Sequence, residues 1–220
     1  MIERQHAPFR ASESQKEAFE RKRQQVRNRS ALNTERELHE NERNFDPLTG
    51  VLGAEKFGAE VRILLSRSAE GSLGPVSILF VDVDHFKRVN DTLGHDVGDE
   101  VLQKIASALA DGVRKEKDIV CRLHGEEFAI ALPGATEATA AEIAEQLRKK
   151  ISGLTFNEKN LHVTASFGVA TNDNTNPRTF EELLKSADQI MYKSKKGGRN
   201  LVTTESGYTT APHQQYELDV

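Results

Sequence analysis

Apolar residues return every three or four positions in four segments of the chain, a pattern typical of amphipathic helices. The helical segments are residues 54–66, 100–113, 136–151 and 179–194. Four shorter segments are densely apolar and β-branched, or alternate between apolar and polar side chains, as strands do. The strand segments are residues 76–83, 119–123, 127–132 and 161–170. Strands alternating with helices predict an α/β fold of the α+β kind, with a mixed sheet covered by helices.

The two ends of the chain differ in composition from the region between them. Residues 1–45 hold ten Lys or Arg and eight Asp or Glu, with no glycine and one proline, which favours a helix over about residues 12–44. Two interpretations stay open: a solvated, frayed arm, or a helical stalk that pairs two chains or transmits a signal. Residues 203–220 are rich in Ser, Thr, Gly, Gln and Pro, which predicts a disordered tail. The predicted domain therefore covers residues 46–202.

Composition and charge exclude several classes of protein. The 220 residues include a single cysteine, Cys121, so neither an intramolecular disulfide nor a cysteine zinc site is expected, and a reducing, cytoplasmic location is predicted. The net charge of −4 gives no general attraction to nucleic acid or anionic lipid. No apolar run approaches the roughly 20 residues of a membrane span, and the first twenty residues do not resemble a signal peptide. We therefore expect no nucleic-acid partner and no membrane span, and any phosphate binding needs a local site.

The first candidate chemistry lies where the predicted strand over 76–83 ends. Asp82 and Asp84 are two positions apart, so on an extended chain their carboxylates share a face. Carboxylates at a strand end are ligands that Mg²⁺ prefers. Lys87 follows where a helix would start, and backbone amides with a lysine there favour phosphate. The alternative is a capped strand–helix turn with solvated acids.

Two further clusters concentrate charge. Glu126 and Glu127 follow a glycine at the tip of the predicted hairpin between residues 119 and 132, and Glu126 could share a metal site with Asp82 on a neighbouring strand. Lys195 and Arg199 stand four apart near the end of the last predicted helix, in a basic segment able to bind phosphates. Taken alone, each cluster has a simpler explanation, namely a solvated hairpin tip or basic residues favoured at a helix C-terminus.

Together and in this order, the clusters resemble the GGDEF family, the diguanylate cyclases. The resemblance spans about residues 46–202. Its motifs are Asp46-Pro-Leu-Thr-Gly50, Asp82-Val-Asp-His-Phe-Lys-Arg-Val-Asn-Asp-Thr-Leu-Gly-His-Asp-Val-Gly-Asp99, Gly125-Glu-Glu-Phe128, Ser166-Phe-Gly-Val-Ala170 and Lys195 to Asn200. Several ordered motifs over most of the chain identify it as a member of that family.

The resemblance implies a fold, a reaction and a metal. The fold is like the palm of polymerases and of class III nucleotide cyclases. The reaction condenses two GTP into cyclic di-GMP and two pyrophosphates between two facing domains of a homodimer. Mg²⁺, with Mn²⁺ as a substitute, would be held by Asp82, the backbone carbonyl of Val83 and Glu126. Glu126 also occupies the position of the general base, with Glu127 in support, and which of the two glutamates takes the proton stays open.

The resemblance also assigns contacts with the substrate. Lys87 would stabilise the transition state, while Lys195 and Arg199 would hold the β- and γ-phosphates. Asn90 and Asp99 would recognise guanine, because a carboxylate can accept from N1–H and N2–H₂, whereas adenine presents an acceptor at N1. The predicted substrate site is completed by His95, His124 and Gly125.

Two departures from the family pattern bear on function. His124 replaces the first glycine of the motif, and a side chain there would be strained if the position needs a positive φ. The family often carries an inhibitory Arg-x-x-Asp site, and the corresponding window here begins at Lys115 and ends at Asp118. Lysine lacks the paired donors of arginine, so product inhibition is expected to be weak or absent.

The leading hypothesis is an active, Mg²⁺-dependent diguanylate cyclase that works as a cytoplasmic homodimer. The alternative, from a different class, is a catalytically degenerate GGDEF domain that binds GTP or cyclic di-GMP as a sensor or scaffold. A third hypothesis, a cyclase that makes an adenine or mixed cyclic dinucleotide, is disfavoured by Asp99.

Overall fold

The computed structural model of the chain describes residues 21–25, 27, 44–158, 161–173, 175 and 177–207. The chain divides into two compact units, residues 1–43 and residues 44–220. In the first unit, residues 21–25 and 27 are helical and exposed. The rest of the predicted arm up to residue 43, and the predicted tail from residue 208 onward, lie outside the described residues.

The second unit alternates strands and helices, as the apolar pattern predicts. Its elements are β1 (Leu52–Gly53), α1 (Ala54–Ala69), β2 (Val76–Val83), α2 (Phe86–Leu93), α3 (His95–Ala110), β3 (Ile119–His124), β4 (Glu127–Pro133), α4 (Glu137–Ser152), β5 (Ala165–Asn172), α5 (Phe180–Lys196) and β6 (Val202–Thr204). Among them, α5 begins with a capping box, in which the Thr179 hydroxyl accepts from the Glu182 amide and the Glu182 carboxylate accepts from the Thr179 amide.

The strands form one mixed sheet in the order β1-β3-β4-β2-β5-β6. The central strand β2 runs antiparallel to both neighbours, β4 and β5. The two outer pairs, β1 with β3 and β5 with β6, are parallel. This arrangement confirms the predicted α+β class with a mixed sheet. Within the described ranges, no helix is both long and apolar enough to cross a membrane.

Helices cover both faces of the sheet, and β2 belongs to the core on both sides. Leu79, Val81 and Val83 join the cluster formed with α2, α3 and α4. Ile78 and Phe80 join the cluster formed with α1 and α5. Because side chains of a strand alternate between faces, Asp82 continues the row of Phe80 and lies on the α5 side. This alternation places a carboxylate within reach of a helix that is far away in sequence.

The structure differs from the sequence prediction at several element boundaries. The helix predicted over 100–113 begins at His95 and is preceded by a separate helix, α2, because Gly94 adopts φ 89° between them. The strand predicted over 161–170 begins at Ala165. The composition predicts Thr203 and Thr204 to be part of the tail, but they pair with β5 as part of β6. That pairing depends on contacts remote in sequence, which composition does not reveal.

Candidate functional site

Acidic side chains gather where β2 and the β3–β4 hairpin end. Asp82 lies opposite Glu127 in the antiparallel β2–β4 pair. The amide of Val83 donates to the carbonyl of Glu126 at 3.3 Å. The structure therefore brings Asp82, Val83, Glu126 and Glu127 together at one end of the neighbouring strands β2 and β4, as the sequence predicted. We call these four residues the acidic edge.

The carboxylate of Asp82 is buried and faces the ammonium group of Lys195. The residue is 4 % exposed, and Nζ of Lys195 stands 2.6 Å from its Oδ1. Burial raises the pKa of Asp82 to about 6, the hydrogen bond and the charge of Lys195 oppose the shift, and the charges of Glu126 and Glu127 add to it. A buried acid with a strongly raised pKa beside other carboxylates is a common feature of functional sites.

Glu127 is partly buried and pairs with the histidine that departs from the family motif. Nε2 of His124 lies 3.1 Å from Oε2 of Glu127, and the His124 side chain is 78 % exposed. Burial raises the pKa of Glu127, His124 and Lys195 oppose this, and Asp188 and Glu126 reinforce it. His124 therefore lies at the rim of the acidic edge and contacts a predicted catalytic residue.

The hairpin tip accommodates His124 without backbone strain. Gly125 has φ 51°, a conformation that favours glycine. His124 is not among the residues of positive φ in the described part of the chain. The positive φ that would strain a side chain thus occurs at Gly125, the second position of the motif, and not at His124.

Asp84 does not share the role of Asp82, although the two were considered together as candidate ligands. Its Oδ1 accepts from the Ser166 hydroxyl at 2.7 Å, and its Oδ2 accepts from the Thr164 hydroxyl at 2.7 Å and from the Asn200 amide at 3.0 Å. The residue is 3 % exposed. Three donors satisfy this carboxylate, so it ties the end of β2 to β5 and to the segment after α5.

Backbone strain is concentrated around this edge. His85, Arg199 and Asn200 are the non-glycine residues with positive φ in the described ranges, at 57°, 64° and 47°. Such conformations cost on the order of 1–3 kcal/mol each and cluster at functional sites. Burial lowers the pKa of His85, and the charges of Arg199 and Lys195 add to the effect, which puts these three side chains in one electrostatic environment.

Lys195 and Arg199, the predicted basic pair, do not both lie on the last helix. Lys195 lies on α5, but the helix ends at Lys196 and Arg199 follows it in a left-handed conformation. The two residues therefore do not sit one turn apart on a helix face. The Arg199 amide donates to the carbonyl of Ser194 at 3.0 Å, which closes the turn after the helix.

A second group of predicted residues lies on α2 and α3. The Oδ1 atom of Asn90 is buried and has no hydrogen-bond partner. A Cβ added at Gly98 would overlap that oxygen, so glycine is needed for this close packing. Asp99 and His95 are exposed on α3, and Lys87 is exposed in the first turn of α2. These residues are linked to Asp82 by the short connection from β2 into α2.

Lys115 and Asp118, the residues of the predicted inhibitory site, have different partners in the structure. The Lys115 side chain is 79 % exposed and lies 3.4 Å from Asp111. The carboxylate of Asp118 instead binds Arg114, which donates from its amide at 2.8 Å, from Nε at 3.0 Å and from Nη2 at 2.5 Å. Arg114 lies one position before the predicted window, and its four-residue spacing to Asp118 was the sequence feature that could have revealed it.

The opening Asp-Pro-Leu-Thr turn contacts the acidic hairpin through one arginine. Nη1 of Arg122 donates to Oδ1 of Asp46 at 3.1 Å, and Nε donates to the carbonyl of Gly125 at 2.9 Å. Burial opposes ionisation of Asp46, but hydrogen bonds from Thr49 and Arg122 outweigh it and lower the pKa of Asp46. Arg122 thereby fixes the hairpin tip against the start of the domain.

The donor set at the acidic edge fits a hard divalent cation. Carboxylates and a backbone carbonyl are the ligands that Mg²⁺ prefers, and the buried Oδ1 of Asp82 is paired with the end of a lysine side chain and not with a backbone donor. In the part of the chain that the structure describes, no three Asp, Glu, His or Cys side chains enclose a metal site by themselves. A small protein ligand set with open positions is typical of Mg²⁺ that is bound together with substrate phosphates.

Fold and site together define a class of protein. A palm-like mixed sheet presents acidic side chains at a strand end, with the Lys195 ammonium against the buried Asp82 carboxylate, which suits a nucleotide-binding cyclase domain. A family model described as "Diguanylate cyclase, GGDEF domain" matches residues 43–201. The chain belongs to the GGDEF family.

Individual relatives agree with this assignment. The response regulator PleD of Caulobacter vibrioides is 42% identical over 161 residues, which cover 71% of this chain and 35% of PleD. The probable diguanylate cyclase DgcT of Escherichia coli is 34% identical over 163 residues, covering 71% of this chain and 34% of DgcT. The chain thus spans about a third of the length of these two relatives.

Solved structures show the same fold. The coiled coil and GGDEF domain of DgcB from Caulobacter crescentus, in complex with c-di-GMP, has a TM-score of 0.77 at 26% identity and covers 85% of this chain and 98% of that one. The active GGEEF domain of a diguanylate cyclase from Vibrio cholerae has a TM-score of 0.64 at 32% identity and covers 68% of this chain and 94% of that one.

Proposed function

We propose that the chain is a diguanylate cyclase that condenses two GTP into cyclic di-GMP and two pyrophosphates. The observation that supports this most strongly is the buried Asp82 carboxylate, with its raised pKa, beside Glu126 and Glu127 and against Lys195. An acidic strand end with a basic partner suits a nucleoside triphosphate, whose phosphates need both a cation and donors.

Each half of the reaction forms one bond and breaks one. The 3′-hydroxyl oxygen of one GTP attacks the α-phosphorus of the other, the bond from that phosphorus to the bridging oxygen breaks, and pyrophosphate leaves. We assign Glu126 as acceptor of the hydroxyl proton, with Glu127 in support. Mg²⁺, or Mn²⁺ in its place, would be held by Asp82, the Val83 carbonyl and Glu126, and would neutralise triphosphate charge and favour the alkoxide.

Basic side chains would hold the triphosphate. We assign Lys195 and Arg199 to the β- and γ-phosphates and Lys87 to the charge that develops in the transition state. His124 and Gly125 would line the hairpin beside the nucleotide. The domain offers one such site, so two copies must face each other for both attacks. We therefore propose a homodimer, in the cytoplasm, where GTP is available.

Guanine would bind at the junction of α2 and α3. Asn90 has a buried side-chain oxygen without a partner, which suits a donor from the base. Asp99 would accept from guanine N1–H and N2–H₂ and so disfavour ATP, and His95 lies on the same helix. The proposal predicts cyclic di-GMP as the product in preference to an adenine dinucleotide.

Incubation of the purified chain with GTP and Mg²⁺ at several protein concentrations, followed by separation of nucleotides, tests the proposal. Cyclic di-GMP should form, and specific activity should rise with protein concentration because two sites must meet. Glu126→Gln is the matched control and should form none. Absence of cyclic di-GMP at every protein concentration would refute the proposed cyclase activity. If 3′-deoxy-GTP still binds in that case, the degenerate sensor or scaffold becomes the better assignment.

Gly98→Ala is expected to weaken GTP binding about tenfold without a large loss of stability. The new Cβ would collide with Asn90 Oδ1, and the end of that side chain can swing away, which removes it from the base. Calorimetry with 3′-deoxy-GTP measures the affinity, and a melting curve measures the stability. Asn90→Ala should reduce the affinity for 3′-deoxy-GTP by the same factor. The double variant Gly98→Ala/Asn90→Ala should lose no more affinity than either single variant. Full affinity in Gly98→Ala would contradict a role for Asn90.

Product inhibition is expected to be weak, so progress curves should stay linear as micromolar cyclic di-GMP accumulates. Asp118 already binds Arg114, and Lys115 offers a flexible point charge instead of paired donors. Lys115→Arg should strengthen inhibition about tenfold. Initial rates against added cyclic di-GMP measure both proteins. Strong inhibition of the unmodified chain that Asp118→Ala removes would show that Lys115 is sufficient.

A further inference from the structure

Arg199 follows the end of α5 in a segment of three consecutive positive-φ residues. Gly198, Arg199 and Asn200 have φ of 120°, 64° and 47°. Glycine tolerates this conformation, but each of the other two is strained and persists only where its surroundings fix it. A residue proposed to bind phosphate thus depends on neighbours that hold its backbone.

Asn200 anchors this segment through hydrogen bonds of its backbone and of its side chain. The residue is 8 % exposed. Its amide donates to Oδ2 of Asp84 at 3.0 Å, and its side-chain Oδ1 accepts from Nη1 of Arg148 at 2.6 Å. Asn200 is therefore held from both its backbone and its side chain, directly after Arg199.

Arg148 reaches this point from α4 as a rigid, buried group. The residue is 8 % exposed. Its Nε and Nη2 donate to the two carboxylate oxygens of Glu145 at 2.8 and 2.7 Å, one turn earlier on the same helix. Two parallel bonds fix the guanidinium plane, which leaves Nη1 directed at Asn200. A lysine could not make both contacts with the same geometry.

We propose that Arg148 is a positioning residue for catalysis, which holds Asn200 and thereby keeps Arg199 in the strained conformation that binds the terminal phosphates of GTP. This rests on the proposed function, because it takes Arg199 as a phosphate ligand. Arg148 itself touches no reacting atom. Its removal should weaken contacts to the β- and γ-phosphates and spare those to the base.

The test compares two nucleotides on the intact chain. Arg148→Lys should bind 3′-deoxy-GTP about tenfold more weakly, while its affinity for GMP, which lacks the β- and γ-phosphates, should not change. Asn200→Gly tolerates the same φ and keeps the amide bond to Asp84 but removes the acceptor for Arg148, so it should reproduce the loss. Lys149→Ala is the matched control, since Lys149 contacts the same Glu145 from an exposed position, and it should bind both nucleotides normally.

A second comparison separates positioning from general support of the fold. In an Arg199→Ala background, Arg148→Lys should cause no further loss of 3′-deoxy-GTP affinity, because the group it positions is gone. Equal losses for GMP and 3′-deoxy-GTP, a further loss in the Arg199→Ala background, or no loss in either variant would overturn the proposal. If the unmodified chain fails to bind 3′-deoxy-GTP, the proposed function falls and this inference with it. If the unmodified chain, Arg148→Lys and Asn200→Gly all bind 3′-deoxy-GTP normally, the role of Arg148 is refuted and the proposed function stands.

Discussion

Asp82→Asn is expected to abolish turnover, with a loss of about 100-fold or more, and at the same time to stabilise the folded chain at pH 8. Asparagine keeps the shape of the side chain but cannot ligate Mg²⁺ as a carboxylate does. The gain in stability follows from burial, which raises the pKa of Asp82 from 3.8 in the unfolded chain to about 6 in the folded one.

The sign of the pH dependence follows from that shift. Well below pH 3.8 the carboxyl is neutral in both states and resembles asparagine. As the pH rises toward 6 and beyond, the unfolded state ionises first, so the folded state loses stability relative to it, by about 2–3 kcal/mol once ionisation is complete. The advantage of Asp82→Asn should therefore be small near pH 3.5, grow between pH 4 and 6 and be constant at pH 8.

Urea unfolding across this pH range, with cyclic di-GMP formation assayed at pH 8, measures both effects. Asp84→Asn is the matched control two positions away. Its carboxylate accepts three hydrogen bonds, so the substitution should destabilise the chain by roughly 1–3 kcal/mol instead. An Asp82→Asn protein that keeps most of its activity would refute the assignment of Asp82 as a metal ligand. An Asp82→Asn protein that is less stable than the unmodified chain at pH 8 would refute the claim that the buried, ionised Asp82 destabilises the fold.

Gly168→Ala is expected to destabilise the domain by roughly 4 kcal/mol or more, or to prevent its folding. Gly168 lies on β5 where α5 crosses the sheet. An added Cβ would fall far inside contact with the Ala187 carbonyl and the Met191 amide, and 2.8 Å from Met191 Cα. These are backbone atoms, so the helix itself must move, and Lys195 on the same helix would move away from Asp82.

Urea unfolding measures this effect, with Gly153→Ala as the control. Gly153 ends α4 at φ −96°, and its added Cβ would make ordinary contacts at 3.5 and 3.7 Å. Its substitution should change the free energy of unfolding by less than about 1 kcal/mol. A Gly168→Ala chain within 1 kcal/mol of the unmodified protein would show that α5 can retreat from the sheet more easily than its packing indicates.

Sequence patterns were sufficient for most of the fold and for the composition of the acidic edge. The periodicities identify the main helices and strands because each depends on side chains that are close in sequence. The strand that carries Asp82 near its end and the hairpin that presents Glu126 and Glu127 were predicted, and β2 and β4 are neighbours as required. The ordered motifs also determined the family, which the comparisons confirm.

Only the tertiary structure decided which of the charged residues is available to bind a ligand. Asp82 and Asp84 look alike in the sequence, but Asp82 is paired with the Lys195 side chain, whereas three donors hold Asp84, among them the amide of Asn200, which is 116 positions away. Asp118 is occupied by Arg114, and Arg199 takes a strained turn that Arg148 stabilises through Asn200. Local sequence fixes the kind of element and the kind of side chain. The partners of a buried charge are set by chain segments brought together in folding, because a buried polar group must find its hydrogen bonds wherever the fold supplies them.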